Sequence, residues 1–384
     1  MKIIFYATIF VLILFEIANV YFIMPMPGSQ EMNSIDLAYF LYSWRWLFRI
    51  ALYLFIIFSF SYALKASKWL SVLGLLLAVG VSYAFNFQMK ADHVFLQPEE
   101  LIFKNATENK VPKDRVIIGV SIDQEAKAYP ISYIGYHHQI PDTLAGKSIM
   151  ITYCTVCRTA RVFEPDVDGK PERFRLVGMD HYNAMFEDQT TKSWWRQENG
   201  EAIAGKLKGH FLKEINSQQA SLDTWLMMHP SSLIMQEDPK SVESYDSLAK
   251  FELGKSKSRL TKRDSLSWND KSWIVGIQSG TNSIAIDWND LIKKRQINFK
   301  LDTTPMVLMI ASDNKSFFAF KGPPNDPKLL IFHDTIYSKD AMFNLNGENI
   351  SNKDSIPNLK QITAYQEFWQ SWKMFHPGTK KLKV

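Results

Sequence analysis

The stretch RVIIGVSIDQEAKAYPI, residues 115–131, decides the fold, because at a constant offset it meets SWIVGIQSGTNSIAIDW, residues 272–288. Ile118-Gly119-Val120 stands against Val275-Gly276-Ile277, and Ala128 against Ala285. Each stretch is an apolar run, a short polar break and a second apolar run, the pattern of a β-hairpin; in the first copy the strands are Val116–Ile122 and Lys127–Ile131 around Asp123-Gln124-Glu125. The match continues without a gap to Phe163 and Phe320, through Ile149-Met150-Ile151 against Met306-Val307-Leu308. A second block follows in the same order. Asn199-Gly200-Glu201-Ala202-Ile203 meets Asn346-Gly347-Glu348-Asn349-Ile350, and Trp225 with His229-Pro230 meets Trp372 with His376-Pro377. Two blocks in one order imply an internal duplication, with copies at 112–236 and 269–384 joined by a polar linker, 237–268.

Working outward within the copies, Ser148–Tyr153, Thr159–Phe163 and Phe174–Val177 read as further strands. Ser221–Met228 reads as a helix, capped by Ser221 and followed by Pro230, with Ala364–Phe375 as its counterpart. The expected class is α+β, mostly β, with two similar halves packed together.

The first 90 residues differ in kind. Ile3–Met24 is apolar except for Glu16 and Asn19, Trp46–Leu64 except for Arg49, and Trp69–Phe87 carries no charge. Each is close to the roughly 20 residues that cross a bilayer, and Tyr42, Trp44, Trp46, Trp69 and Tyr83 stand near the ends, where amphipathic rings favour the interface. Residues 1–90 are therefore expected to be a membrane anchor of three transmembrane helices, with the lipid bilayer as a partner. Lys2, Lys65 and Lys68 favour an inside N-terminus and an outside soluble domain, against Arg45 and Arg49. Glu16 and Arg49 are the intramembrane charges and so the suspects for any function of the anchor itself.

A net charge of +5 over 384 residues, without a basic stripe interleaved with aromatics, argues against nucleic acid. No phosphate-binding loop, nucleophile elbow, zinc-protease or dinucleotide fingerprint is present. The two cysteines, Cys154 and Cys157, form a single close pair, which suits a periplasmic or extracellular domain.

That pair carries the chemistry. Tyr153-Cys154-Thr155-Val156-Cys157-Arg158 lies between two expected strands, and the second copy has no cysteine there. A C-x-x-C loop brings two sulfurs onto one metal ion or into a small disulfide ring, and Arg158 and Arg161 are expected to favour thiolates. His137 and His138, read in the loop before the cysteine strand, are the candidate additional ligands, His138 also as a proton partner; two thiolates with imidazole suit copper or zinc. His181 and Met179 are further residues of the first copy that spacing leaves unplaced. Asn183, Trp195 and Gln197 belong to an aromatic and amide cluster that reads either as the lining of a small-ligand pocket or as a packed core with satisfied amides. His229 and His376 occur in both copies and read as helix-end packing residues. Two functions stand: a soft-metal or thiol–disulfide site at Cys154 and Cys157, or a non-catalytic ligand-binding or interaction module in which the pair is a structural disulfide.

Ala128-Tyr129-Pro130-Ile131, His138 ahead of Asp142-Thr143, and Thr152-Tyr153-Cys154-x-x-Cys157 together resemble an uncharacterised prokaryotic family, the domain-of-unknown-function family numbered thirty-one seventy-nine. The resemblance continues through Asn183, Trp195 with Gln197, Gly200-Glu201-Ala202-Ile203-x-Gly205, and Trp225 with His229-Pro230. It implies an exported or membrane-tethered domain and implies no activity. Gln139 stands where the family has Glu, which weakens a general-base role there; Thr155, Val156 and Arg158 depart from the family's Pro within the cysteine loop and Gly after it.

Overall fold

The computed structural model describes residues 1–322, 329–351 and 356–383. Three helices are long and apolar enough to cross a membrane: Lys2–Tyr21, Arg45–Ala66 and Lys68–Gln88. They coincide with the three apolar runs of the sequence. Helix and strand each account for 32% of the chain, so the α+β class holds but "mostly β" does not describe the whole molecule; beyond the anchor the helices are one to three turns long and the strands dominate.

Two compact units divide the chain: Met1–Leu96 with Glu172–Phe211, and Gln97–Pro171 with Leu212–Val384. The division cuts through the segment 112–236. Within the first unit a four-stranded sheet, Phe174–Asp180, Asn183–Asp188, Trp194–Arg196 and Ala202–Ala204, packs on the anchor. Val177, Met185, Trp194 and Ile203 share a core with Ile23, Ala38, Tyr39 and Tyr42. The approach is close enough for backbone to meet backbone: Met179 N–H donates to Ile23 O at 2.7 Å. A Cβ on Gly178 would fall 2.1 Å from that same carbonyl oxygen, so only glycine fits.

Among the anchor helices the two charges meet. Arg49 Nε and Nη2 donate to the two carboxylate oxygens of Glu16, both at 2.7 Å, and Nη2 also donates to Asn86 Oδ1 at 2.7 Å. Glu16 is 1% and Arg49 5% exposed. A buried charge in an apolar block requires such a partner, and this pairing gives both residues an architectural role.

In the second unit one succession of elements occurs twice. Gln218–Ser221 pairs antiparallel with Val116–Ile122, which pairs antiparallel with Glu125–Pro130, which pairs parallel with Leu233–Met235. Ala364–Phe368, Trp273–Ser279, Asn282–Asp287 and Lys380–Lys381 repeat the order and the senses. After each hairpin comes a short helix, Ile131–His137 or Trp288–Lys294, closed by a left-handed residue, His138 at φ 61° or Arg295 at φ 65°. Antiparallel strands follow: Gln139–Leu144, Lys147–Cys154 and Thr159–Glu164, or Gln296–Leu301, Thr304–Ile310 and Phe317–Lys321. Later in the first half, Leu222–Met228 is capped by Ser221, whose hydroxyl accepts from Thr224 N–H. The expected second helix is partly corrected: Ala364–Phe368 is a strand and only Trp369–Phe375 is helical. Its β-branched-poor sequence hid a strand whose place is set by its partner Trp273–Ser279.

One packing contact recurs in detail. A Cβ on Gly119 would lie 2.4 Å from the Trp225 ring, and one on Gly276 2.4 Å from the Trp372 ring. Both tryptophans are buried, and each lies in tilted contact with the histidine that ends its helix, His229 at 4.1 Å and His376 at 3.8 Å between ring centroids. This is the packing role expected for the two histidines.

Two outcomes follow from these contacts. Gly119→Ala and Gly276→Ala each overpack a buried indole and should lower stability by about 1–3 kcal/mol in denaturant unfolding. Arg49→Leu strands the Glu16 carboxylate and should cost about 3–5 kcal/mol, of which the double variant with Glu16→Leu recovers most; thermal unfolding in detergent reads the order.

Candidate functional site

The cysteine loop begins where a strand ends. Lys147–Cys154 and Thr159–Glu164 pair antiparallel, with Cys154 opposite Thr159, so the two sulfurs sit at the closed end of a hairpin. Cys154 Sγ and Cys157 Sγ lie 2.8 Å apart, and the Cys157 N–H points to Cys154 Sγ at 3.3 Å. No disulfide joins them, and each is 1% exposed.

The enclosure comes from the other half of the unit. Phe368 N–H donates to Cys157 O at 2.9 Å, and Lys271 Nζ donates to Val156 O at 2.9 Å. The Ser371 hydroxyl and the Glu367 carboxylate both act on the Cys157 thiol, the hydroxyl favouring the thiolate and the carboxylate opposing it. Lys271, Glu367, Phe368 and Ser371 are therefore site residues that the sequence reading missed. They lie more than a hundred residues from the cysteines, and no local spacing connects them.

The expectation of arginine-stabilised thiolates is overturned. Burial pushes the Cys157 thiol well above its ordinary range, and the hydrogen bond and charge of Cys154 push it further. The two arginines are turned to other groups. Arg158 donates from Nε to Gln366 Oε1 at 3.0 Å, and to the carbonyls of Phe251 at 3.2 Å and Glu252 at 3.0 Å. Arg161 donates to Glu367 Oε1 at 2.9 Å, with its guanidinium 3.4 Å over the Tyr365 ring. Burial also draws the Lys271 ammonium down to about 8, with the two sulfurs pulling it back up. The site thus favours the thiol form of Cys157 beside a partly buried ammonium.

The histidines take up positions set by the backbone of the fold. They do not share a loop before the cysteine strand: His137 ends a helix, His138 is its left-handed cap, and the strand Gln139–Leu144 intervenes. The His137 Nε2 lies 2.6 Å from the Tyr245 hydroxyl. His138 Nδ1–H donates to Tyr153 O at 2.9 Å, and Tyr153 N–H donates to His138 O. The second half makes the same clasp with Arg295, whose Nη2 donates to Ile310 O at 3.1 Å while Ile310 N–H donates to Arg295 O. A cation in one half and an imidazole in the other hold the equivalent carbonyl, which assigns His138 a positioning role on the residue before Cys154. Burial lowers its pKa from 6.5 to about 4. Among the described residues no group of three His, Cys, Asp or Glu is arranged to hold a metal ion.

Asn183, Trp195 and Gln197 lie in the unit that contains the anchor, whereas the cysteines lie in the other. Asn183 Nδ2 donates to Gln197 Oε1 at 3.0 Å, Glu198 N–H to Asn183 Oδ1 at 2.9 Å, and Trp195 Nε1 to Asp188 Oδ2 at 2.9 Å. These contacts match a packed core with satisfied amides. His181 is engaged by Asp180 Oδ1 at 2.7 Å and Asn33 Oδ1 at 3.0 Å, within that same unit.

Two measurements check this picture. Native Cys157 should alkylate far more slowly with iodoacetamide than the unfolded chain at the same pH, because the thiolate is the nucleophile and the thiol is held protonated and buried; intact mass reads the extent. His138 folds as a neutral ring, so its contribution is intact above pH 6.5 and is lost as pH falls toward 4, on the order of 3 kcal/mol in all. His138→Gln should flatten that part of a stability–pH curve.

No match was found among curated proteins or among solved structures. A family model described as "Protein of unknown function (DUF3179)" matches residues 99–379, which spans both halves of the repeated arrangement and the cysteine loop. The chain belongs to that family.

Proposed function

We propose that this is a membrane-tethered, extracytoplasmic protein whose internally duplicated domain, with copies at 112–236 and 269–384 about a linker at 237–268, carries Cys154 and Cys157 as a dithiol–disulfide couple. The observation that carries the reading is the buried pair of sulfurs facing each other at 2.8 Å within one loop, where a disulfide bond of about 2.05 Å needs only a small approach. Support for duplication comes from the repeated strand order and senses and from the twin Gly–Trp contacts. Lys2, Lys65 and Lys68 on one side of the anchor favour a domain outside the cytoplasm, where disulfides persist.

The couple cycles by exchange. Both thiols lose their protons, the Cys154–Cys157 bond forms, and the two electrons cleave an external disulfide, which takes up the two protons as two thiols. Because burial keeps Cys157 protonated, the first attack is slow, and the pair acts as a stable redox setting of the loop rather than as a rapid exchange catalyst. Lys271, whose ammonium is drawn down by burial, is the nearby group able to exchange a proton near neutral pH.

The full-length protein, equilibrated in glutathione buffers and quenched with an alkylating agent, should show one two-electron transition of about 30 mV per tenfold change in ratio, absent in Cys154→Ser. Thiols that stay reduced over the whole range would overturn the reading. Stoichiometric copper or zinc in protein purified without a histidine tag, lost in Cys154→Ser, would replace it with a metal site.

A further inference from the structure

The second unit carries an open cleft of about 480 Å³, whose walls include Arg158, Glu252, Arg263, Trp273, Trp288 and Ile292. That volume lies in the range of small-molecule sites. Its polar groups are poorly matched to one another. Arg158 is 2% exposed, yet its hydrogen bonds go to a side-chain amide and two backbone carbonyls. Among the described residues neither Arg158 nor Arg263 has a carboxylate oxygen within 4.0 Å. Both guanidinium carbons lie over the Trp273 ring, at 3.7 and 3.9 Å. Two donors are left over: the Trp273 Nε1–H, on a side chain 93% buried, and the Arg263 Nε–H. The Glu252 carboxylate does not answer them. Its Oε1 accepts from Val116 N–H at 2.9 Å, and its Oε2 faces Arg115 at 3.6 Å.

Glu252 and Asp287 act on Arg158 and Arg263 only from beyond contact distance; a buried guanidinium with no carboxylate in contact is costly, and so is each orphaned N–H. One oxyanion relieves both. We propose that this cavity binds a small organic anion, a carboxylic acid whose carboxylate meets Arg263 and the Trp273 indole N–H and whose body lies against Trp288 and Ile292. An organic acid fits better than inorganic phosphate, because a bare ion leaves the apolar walls against water. The inference rests on the two halves sharing one cavity, and it is independent of the oxidation state of Cys154 and Cys157.

Calorimetric titration of the full-length protein in detergent tests it, with benzoate and gluconate as probes and benzamide and inorganic phosphate as controls. The expected result is saturable binding of at least one carboxylate, little or no binding of the controls, and a loss of about tenfold or more in Arg263→Gln. Arg263 is half-buried rather than enclosed, so this variant keeps the fold; its unliganded melting temperature verifies that. Absence of carboxylate binding up to about 1 mM, near the weak end of specific affinity, overturns the proposal. So does equal binding to Arg263→Gln, or tighter binding of phosphate. Repeating the titration with Cys154→Ser separates the two readings: binding that survives there, alongside loss of the redox transition, upholds both.

Discussion

Arg161 and Glu367 face each other at 2.9 Å, and both are almost wholly removed from water. Breaking such a pair leaves a buried charge unmet, so each end holds the other in place. Through this contact the strand Thr159–Glu164 of one half is bound to the strand Ala364–Phe368 of the other. The neighbouring residues join the same seam: Tyr365 lies under the Arg161 guanidinium, Gln366 accepts from Arg158, and Phe368 donates to the carbonyl of Cys157. Four successive residues of one strand, 365–368, thus meet the cysteine loop and the strand that leaves it.

The chemistry of the loop is a consequence of that seam. A C-x-x-C turn on an open hairpin between two arginines would be an electropositive, reactive site. Covered by the second half, it loses solvent, its arginines are spent on Gln366, Glu367 and two carbonyls, and desolvation holds the Cys157 thiol protonated. The same cover leaves Arg158 and Arg263 over Trp273 without a carboxylate in contact, the feature on which the proposed anion site rests. One burial event therefore quiets the Cys157 thiol and sets two guanidinium groups against the cavity wall.

The first unit obeys the same rule by other means. Its helices bury a glutamate and an arginine only because each satisfies the other, and its sheet reaches the anchor only because Gly178 has no side chain. Much of this was legible beforehand. The three helices able to span a bilayer follow from apolar runs of near-spanning length, the hairpin from alternation broken at Asp123-Gln124-Glu125, and the capped helix from Ser221 and Pro230. The second helix was overextended because Ala364–Phe368 becomes a strand through pairing with Trp273–Ser279, a partner far away in the chain. His138 read as a ligand because imidazole is versatile. Its match with Arg295, which clasps the equivalent carbonyl, becomes visible only once backbone partners are known.

Residue order by itself determined which segments are apolar enough to enter a bilayer, where strands turn, where the helix of the first half is capped, and that two thiols share one loop. These properties depend on neighbours a few positions apart, which periodicity and turn chemistry record. Tertiary structure decided that Phe174–Ala204 packs with the N-terminal helices, that Lys271, Glu367 and Ser371 act on the cysteine loop, and that burial pushes the Cys157 thiol up. Those outcomes depend on desolvation and on charges brought from a hundred or more residues away. Spacing along the chain carries no record of either.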